Sequence, residues 1–215
     1  MRSLDTRGLM RDERRDLRDL LQSLTPEQWS YDSLCAGWTV RELVVHLVGW
    51  DDLLLYRTPR EHRRALMRFS TLFATSLGSM TRFNRRLQRR VGELGPAELL
   101  RRFGADDAPD LKWLFDRTNP GAHLAEYVIH HQDIRRPLGL AREIPPERLV
   151  AALNGVTKLP DVRLSAWRRL RRRRWEATDV DWKRGRGSIV RAPGEAILMA
   201  LAGRTAAIDE LAEAT

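Results

Sequence analysis

Apolar residues recur at helical spacing through most of the chain. In LDTRGLMRDERRDLRDLLQSL (4–24) a stripe of leucines follows the helical period and predicts a first helix. Thr39 followed three residues later by Glu42 is a capping box, which predicts that another helix begins near Val40. On that helix His46 falls within an apolar stripe, so we expect its side chain to face the core.

The pattern further along predicts more helices and then two strands. We expect helical segments at 59–94 with an interruption around 70–78, in GPAELLRRFG, from Asn119-Pro120 to the residue before Pro137, from Pro146 to about Val156, and in GEAILMALAGRTAAIDELAEA with a break at Gly203. GADDAPDLKW is expected to be a loop, and RRWEATDVDW and SIVRA to be strands joined by the glycine turn KRGRG. The predicted fold class is mainly α: a helical bundle over residues 1–158 and a small C-terminal α/β unit over 159–215.

The large net charge of the chain adds little to the predictions made from the hydrophobic pattern. The chain carries +9, but 35 of its 38 basic residues are arginines, a bias that GC-rich codon usage would produce. The densest block, WRRLRRRRW (167–175), could bind nucleic acid through phosphate contacts and base stacking. We favour instead a solvated helix end or strand, because no helix-turn-helix or zinc-finger pattern accompanies the block.

Cysteine use and hydropathy bear on location. A single cysteine, Cys35, excludes an internal disulfide and fits a reducing cytoplasm. No apolar run approaches the ~20 residues that span a bilayer, and the N-terminal residues lack the apolar centre of a signal peptide. We therefore expect a cytoplasmic protein with no membrane partner.

The helix after Asn119 carries an unusual stripe of titratable residues, within HLAEYVIHHQDIRR (123–136). Glu126, His130, Asp133 and His123 share one narrow arc of the helix, bordered on both sides by apolar residues, which indicates that the arc points inward. His131 points away from Glu126 and is interpreted as a surface residue. His62 is also interpreted as a surface residue, and Cys35 as a small buried residue and not a nucleophile.

The spacing of this stripe suits a metal site. Glu126 and His130, at i and i+4, are neighbours on a helix surface and can share one ion. A third ligand must come from another element, and His46 is the candidate. Two histidines and a glutamate with one position left open are typical of a catalytic zinc site. The alternative is that these are core residues satisfied by hydrogen bonds.

Three motifs in this order resemble one known family. LCAGWTVRELVVHLV (34–48) resembles the Cys-x-Gly-Trp and His-Leu segment of the mycothiol-dependent maleylpyruvate isomerase-like proteins, which are DinB-like metal-binding helical bundles. EYVIHHQDIRRPLG (126–139) is similar to their Glu-x-x-x-His-x-x-Asp segment, and ATDVDWKRGRGSIVRAPGEAILMALAGR (177–204) to their C-terminal strand, turn and Gly-Arg helix. The resemblance implies a DinB-like four-helix bundle whose metal triad falls on His46, Glu126 and His130.

The resemblance also implies zinc, or another divalent metal, and mycothiol as cosubstrate. A metal-bound thiol loses its proton, and the thiolate can add to an electrophilic carbon. Asp133 is expected to orient His130 through its second imidazole nitrogen, or else to pair structurally with Arg136 or Arg41. Arg204 is expected to reach the carboxylate of the thiol or of the substrate, or else to serve as a helix-end arginine.

The expected function is a thiol-dependent transferase or isomerase that acts on a small electrophile. One alternative is a metal-dependent hydrolase that uses metal-bound water. Another is a basic nucleic-acid-binding or regulatory protein without turnover. The expected partners are the thiol and the electrophile, with no nucleic acid, and the expected state is a monomer or homodimer.

Overall fold

The computed structural model describes residues 5–104, 112–114, 120–159, 162–204 and 207. The chain divides into two compact units, Arg14–Thr118 and the combination of Met1–Glu13 with Asn119–Thr215. The domain boundary expected between residues 158 and 159 stays a prediction.

Helices dominate the described residues. They are α1 (Thr6–Ser23), α2 (Val40–Leu54), α3 (Pro59–Thr75), α4 (Met80–Val91), α5 (Pro96–Gly104), α6 (Pro120–Arg135), α7 (Pro146–Gly155), α8 (Arg163–Arg172) and α9 (Gly194–Leu201), with short 3-10 turns at Gln28–Ser30 and Val156–Lys158. The strands are β1 (Leu55–Tyr56), β2 (Lys112–Trp113), β3 (Arg173–Ala177), β4 (Lys183–Gly185) and β5 (Ser188–Ala192). The fold class predicted from the sequence, a mainly α DinB-like bundle with a small C-terminal α/β unit, is confirmed.

The capping box predicted at the start of α2 is present. The Thr39 hydroxyl accepts a hydrogen bond from the Glu42 backbone N–H at 3.3 Å, and the Glu42 carboxylate accepts one from the Thr39 N–H at 2.8 Å. These contacts satisfy two of the backbone donors that a helix start leaves unpaired. The helix therefore begins at Val40 and buries the stripe that includes His46, as predicted.

The boundaries of two predicted segments were wrong. The interruption expected around 70–78 is confined to the connection between α3 and α4, because α3 continues to Thr75. The end of the expected loop GADDAPDLKW is a strand: Lys112 and Trp113 pair antiparallel with Tyr56 and Leu55. Residues 105–111 of that loop lie outside the described residues.

The C-terminal sheet has the strand order β4-β3-β5, with β3 antiparallel to β4 and parallel to β5. Both predicted strands are present, but β3 covers only the first half of RRWEATDVDW. KRGRG is not only a turn, because Lys183–Gly185 forms β4. Only two residues connect β4, on one edge of β3, to β5, on the other edge. The connecting backbone must therefore pass close to β3. Gly185 has a φ of +102°, and a Cβ there would lie 2.2 Å from the Arg173 carbonyl oxygen.

A close contact between α6 and α7 fixes the position of α6. A Cβ on Gly155 would lie 1.8 Å from the carbonyl oxygen of Gly121, so the two backbones approach to a distance that only glycine permits. Leu124 and Val128 of α6 and Leu153 of α7 are completely buried. The helix that bears the titratable stripe is therefore held by tight backbone packing.

None of the described helices combines the length and apolar character that crossing a bilayer requires.

Candidate metal centre

Two carboxylates flank the imidazole of His130 on α6. The Nδ1 atom of His130 lies 2.8 Å from Oδ2 of Asp133, and Nε2 lies 3.0 Å from Oε1 of Glu126. His130 and Asp133 are buried, whereas Glu126 keeps 24% of its side chain exposed. The structure thus brings together three of the residues that the sequence singled out, one helical turn apart, and the inward orientation expected of their arc holds for His130 and Asp133.

Arg204, which lies 71 residues after Asp133 in the same unit, also belongs to this cluster. Its Nε donates to Oδ1 of Asp133 at 2.7 Å, and its Nη2 donates to Oδ2 at 2.5 Å, a bidentate pair. Gly203, with a φ of +88°, ends α9 and turns the chain so that the Arg204 N–H bonds the Met199 carbonyl. The Gly-Arg segment therefore places a guanidinium on Asp133.

In the structure Arg136 and Arg41, the alternative partners expected for Asp133, contact other groups. Arg136 forms a pair with Glu195, at 2.6 Å between Nη2 and Oε2, and Arg41 donates to the carbonyl of Leu94. Arg136 directly follows α6, and its side chain reaches Glu195 of α9. No sequence pattern indicated the pairing of Asp133 with Arg204, which are 71 residues apart.

The environment of Asp133 keeps it ionised. Burial by itself raises the pKa of Asp133, but the hydrogen bonds from Arg204 and His130 outweigh burial and lower this pKa to about 2. An ionised carboxylate only accepts hydrogen bonds, so Nδ1 of His130 carries a proton. That proton fixes the ring so that Nε2 faces Glu126.

His46 lies in the unit Arg14–Thr118. Its side chain is 3% exposed and sits between two indole rings, with centroid distances of 5.0 Å to Trp38 and 6.2 Å to Trp50. Trp50 follows on the same face of α2, and Trp38 precedes the Thr39 cap. The orientation of His46 therefore depends on the helix start that the capping box defines.

The described part of the chain thus carries candidate metal-ligating side chains: His46 in one unit, Glu126 and His130 in the other. Imidazole nitrogen and carboxylate oxygen are the ligand atoms that zinc accepts in catalytic sites. The apposition of Nε2 and Oε1 places two such atoms side by side, and the Asp133 contact supplies the support that ligating histidines usually have. The residues present fit a divalent metal.

The interpretation of His131 as a surface residue was wrong. The side chain is fully buried, its Nδ1 donates to Oε1 of Glu13 at 2.9 Å, and its Nε2 accepts from Nε of Arg135 at 2.9 Å. Glu13 also accepts hydrogen bonds from Arg142 and Arg148. Burial lowers the pKa of His131.

Glu13 was overlooked in the sequence, although its position carries a signal. It lies four residues after Leu9 and four before Leu17, within the leucine stripe of α1. A carboxylate inside an apolar stripe requires cationic partners when it is buried. This cluster therefore connects α1, α6, α7 and the segment before α7 within one unit.

The remaining candidate residues are Cys35 and His62. Cys35 is half-buried instead of fully buried. His62 is half-exposed and packs edge-on against Tyr56, at 4.7 Å between ring centroids.

The arginine block WRRLRRRRW forms the end of α8 and the start of β3. Trp175 is buried, and Arg174 bonds the carboxylate of Glu176 at 2.8 Å. These contacts agree with the interpretation as a helix end followed by a strand. Nucleic-acid binding by the block stays a prediction.

The sequence model of one family, described as the mycothiol maleylpyruvate isomerase N-terminal domain, matches residues 10–135. The chain belongs to this family. The resemblance inferred from the three motifs is thereby confirmed. No curated protein and no solved structure matches the chain.

Membership links the chain to mycothiol-related chemistry and to a low-molecular-weight thiol partner. The matched region contains His46, Glu126, His130 and Asp133, whereas Arg204 lies beyond it.

Proposed function

We propose that this protein binds a divalent metal ion, zinc being favoured, through His46, Glu126 and His130. With mycothiol as cosubstrate, it acts on a small electrophile as a transferase or isomerase. The observation that carries the proposal is the setting of His130, whose Nδ1 is held by Asp133 while Nε2 lies beside Glu126. Family membership supplies the link to the thiol. We place this activity in the cytoplasm, which suits a chain with one cysteine.

The chain's own residues divide the work. Glu126, His130 and His46 provide one negative and two neutral ligand atoms, which leave a bound divalent ion with a net charge of about +1. When bound, an ion of this charge would supply the Lewis acidity that lowers the pKa of a thiol, and no protein cysteine would then be needed as the nucleophile. Asp133 keeps the proton on Nδ1 of His130 and so keeps Nε2 available as a ligand.

Arg204 has two roles in this proposal. Its bidentate contact holds Asp133 in place and in the ionised state. Its side chain is 17% exposed, and we propose that the exposed edge attracts the carboxylate of the thiol or substrate. Arg204→Ala should therefore weaken thiol binding more than metal binding.

Metal content is the first test. Protein purified without a nickel column should carry roughly one zinc per chain, and His46→Ala, Glu126→Ala and His130→Ala should each lose it. His62→Ala is the matched control, because His62 is half-exposed and its loss should leave the metal in place. His131→Ala would be a poor control, since His131 is fully buried. Metal retained in all three triad variants would contradict the proposal.

Thiol binding is the second test. Mycothiol added to the cobalt-substituted protein should produce a sulfur-to-metal charge-transfer band, and the thiol should stimulate consumption of an electrophile such as a maleyl-type diacid, an epoxide or a haloalkane. Cys35→Ser should leave turnover within about a few fold, because the proposed nucleophile comes from the cosubstrate. A cobalt spectrum unchanged by saturating thiol, together with activity in the absence of thiol, would favour hydrolysis by metal-bound water.

A further inference from the structure

The net positive charge of the chain is concentrated in one helical hairpin. We call residues 57–91, which comprise Arg57 and Thr58 followed by α3, α4 and their connection, the basic hairpin. It contains ten arginines and one glutamate, a formal charge of +9. Because the whole chain also carries +9, all the other residues together balance to zero. The charge excess is therefore a local property of this hairpin.

The end of the basic hairpin is apolar. FSTLFATSLGSMT (69–81) contains no charged residue, while five arginines precede it within the hairpin and five follow it. Four large apolar side chains are exposed to solvent in this segment or just before it: Leu66 by 43%, Met67 by 67%, Phe73 by 42% and Leu77 by 79%. Leu66 and Phe73 are seven residues apart and lie on one face of α3. Clustered exposed apolar side chains indicate an interaction surface.

Leu77 occupies a strained backbone conformation at the end of the hairpin. Its φ is +51°, in the left-handed region that disfavours any residue with a branched apolar side chain. Glycine follows it at position 78, where the same region carries little penalty. The side chain of Leu77 is the most exposed of the four, so burial does not offset the strain. An outward-facing leucine at this position suggests a role outside folding.

The arginines of α4 form a continuous cationic face. Arg82, Arg85, Arg86, Arg89 and Arg90 fall within about 140° of the helix circumference. All five are exposed, while Phe83, Leu87 and Val91 beside this arc are buried. The face can therefore approach an extended anionic surface without unpacking the hairpin.

We infer that the basic hairpin docks onto the surface of a bilayer that contains anionic phospholipids. Phe73 and Leu77 enter the boundary between headgroups and acyl chains, and the flanking arginines contact the lipid phosphates. An apolar end between two basic segments complements such a surface, in which anionic phosphates lie above apolar acyl chains. This departs from the expectation of no membrane partner, and it requires no helix that spans the bilayer.

Two other binding partners, nucleic acid and a second copy of the chain, fit the basic hairpin less well. Leucine and methionine, which make up most of the exposed apolar patch, cannot stack on nucleic-acid bases as aromatic side chains do. A second copy of the hairpin would bring +9 against +9, and like charges across an interface oppose association.

Vesicle co-sedimentation of the full chain tests the inference. The protein should bind vesicles of phosphatidylglycerol and phosphatidylcholine, bind pure phosphatidylcholine far less, and dissociate as salt is raised. Phe73→Ser with Leu77→Ser should reduce binding about tenfold or more, because two buried apolar side chains are lost. Undiminished binding by this double variant, or no binding of the unaltered protein to the anionic vesicles, would overturn the inference.

Matched charge variants separate a local surface from net charge. Changing Arg85, Arg86, Arg89 and Arg90 to serine should abolish vesicle binding. The same change at Arg171, Arg172, Arg173 and Arg174 removes equal charge from exposed positions elsewhere and should leave most binding intact. Equal losses from the two variants would overturn the inference in favour of nonspecific charge attraction.

The Leu77→Gly variant separates a loss of vesicle binding from a loss of folding. Glycine accepts the positive φ, so this variant should be at least as stable as the unaltered protein by thermal unfolding and yet bind vesicles more weakly. Normal vesicle binding by Leu77→Gly would count against insertion of the tip. Binding of duplex DNA that depends on the hairpin arginines, without binding to vesicles, would identify a nucleic-acid surface instead.

Discussion

At the scale of single residues, the properties of His130 come from its neighbours. Asp133 accepts from Nδ1, and Arg204 keeps Asp133 ionised although it is buried. The spacing of three and four residues along α6 fixes which side chains flank the imidazole. The charge state of Asp133 comes from an arginine on a distant segment.

Asp133→Asn tests this support. The amide keeps the size of the side chain but removes the charge that fixes the proton on Nδ1, so we expect zinc affinity to fall about 10- to 100-fold. Competition with a chromophoric chelator measures the affinity. Glu195→Gln is the control, because it breaks a similar pair with Arg136 in the same unit. Equal zinc affinities for Asp133→Asn and the unaltered protein would rule out a positioning role for Asp133.

At the scale of elements, local signals predicted where helices begin, and close packing determined how they are held. The Thr39 and Glu42 capping box lies within four residues of sequence and was read correctly. The approach of α6 to α7 depends on Gly121 and Gly155, which are far apart in the sequence.

Gly155→Ala should disrupt the packing of α6 on α7. The added Cβ would overlap the Gly121 carbonyl, and moving the helices apart should lower the free energy of unfolding by about 2 kcal/mol or more. Zinc affinity should fall as well, because α6 carries two of the proposed ligands. Gly139→Ala is the control: its φ is +66°, but nothing lies within 4 Å of its Cβ position, so the cost should be about 1 kcal/mol. Denaturant titration measures both, and a smaller effect at Gly155 than at Gly139 would contradict the close-approach explanation.

At the scale of the whole molecule, buried carboxylates make stability depend on pH. The pKa of Glu13 is lowered from 4.5: burial by itself raises it, but hydrogen bonds from His131 and Arg142 outweigh burial. The pKa of Asp133 is likewise lowered, from 3.8 to about 2. Below the ordinary carboxyl pKa the unfolded chain binds more protons than the folded chain, so stability falls as the pH falls.

Acid unfolding of Glu13→Gln checks this dependence. The folded protein should be fully stabilised by these carboxylates above about pH 4.5 and should lose that contribution as the pH falls toward about 2. Glu13→Gln should lower the free energy of unfolding at neutral pH by about 3 kcal/mol, because Arg142 and Arg148 lose a buried counter-charge. It should also flatten the decline in acid. Asp19→Asn, at an exposed position on α1, should change stability by less than about 0.5 kcal/mol. A pH profile for Glu13→Gln parallel to that of the unaltered protein would exclude Glu13 as a source of the acid sensitivity.

The sequence by itself determined the features that arise from neighbouring residues. The caps and starts of the helices, the two longer strands and the shared arc of Glu126, His130 and Asp133 follow from spacings of a few residues, where backbone geometry fixes which side chains meet. The family, too, could be inferred from three short motifs. Tertiary structure alone decided that Arg204 pairs with Asp133 and that His131 is buried on Glu13. These pairs join residues 71 and 118 positions apart, and their formation depends on how helices pack, which the hydrophobic pattern of each helix does not encode.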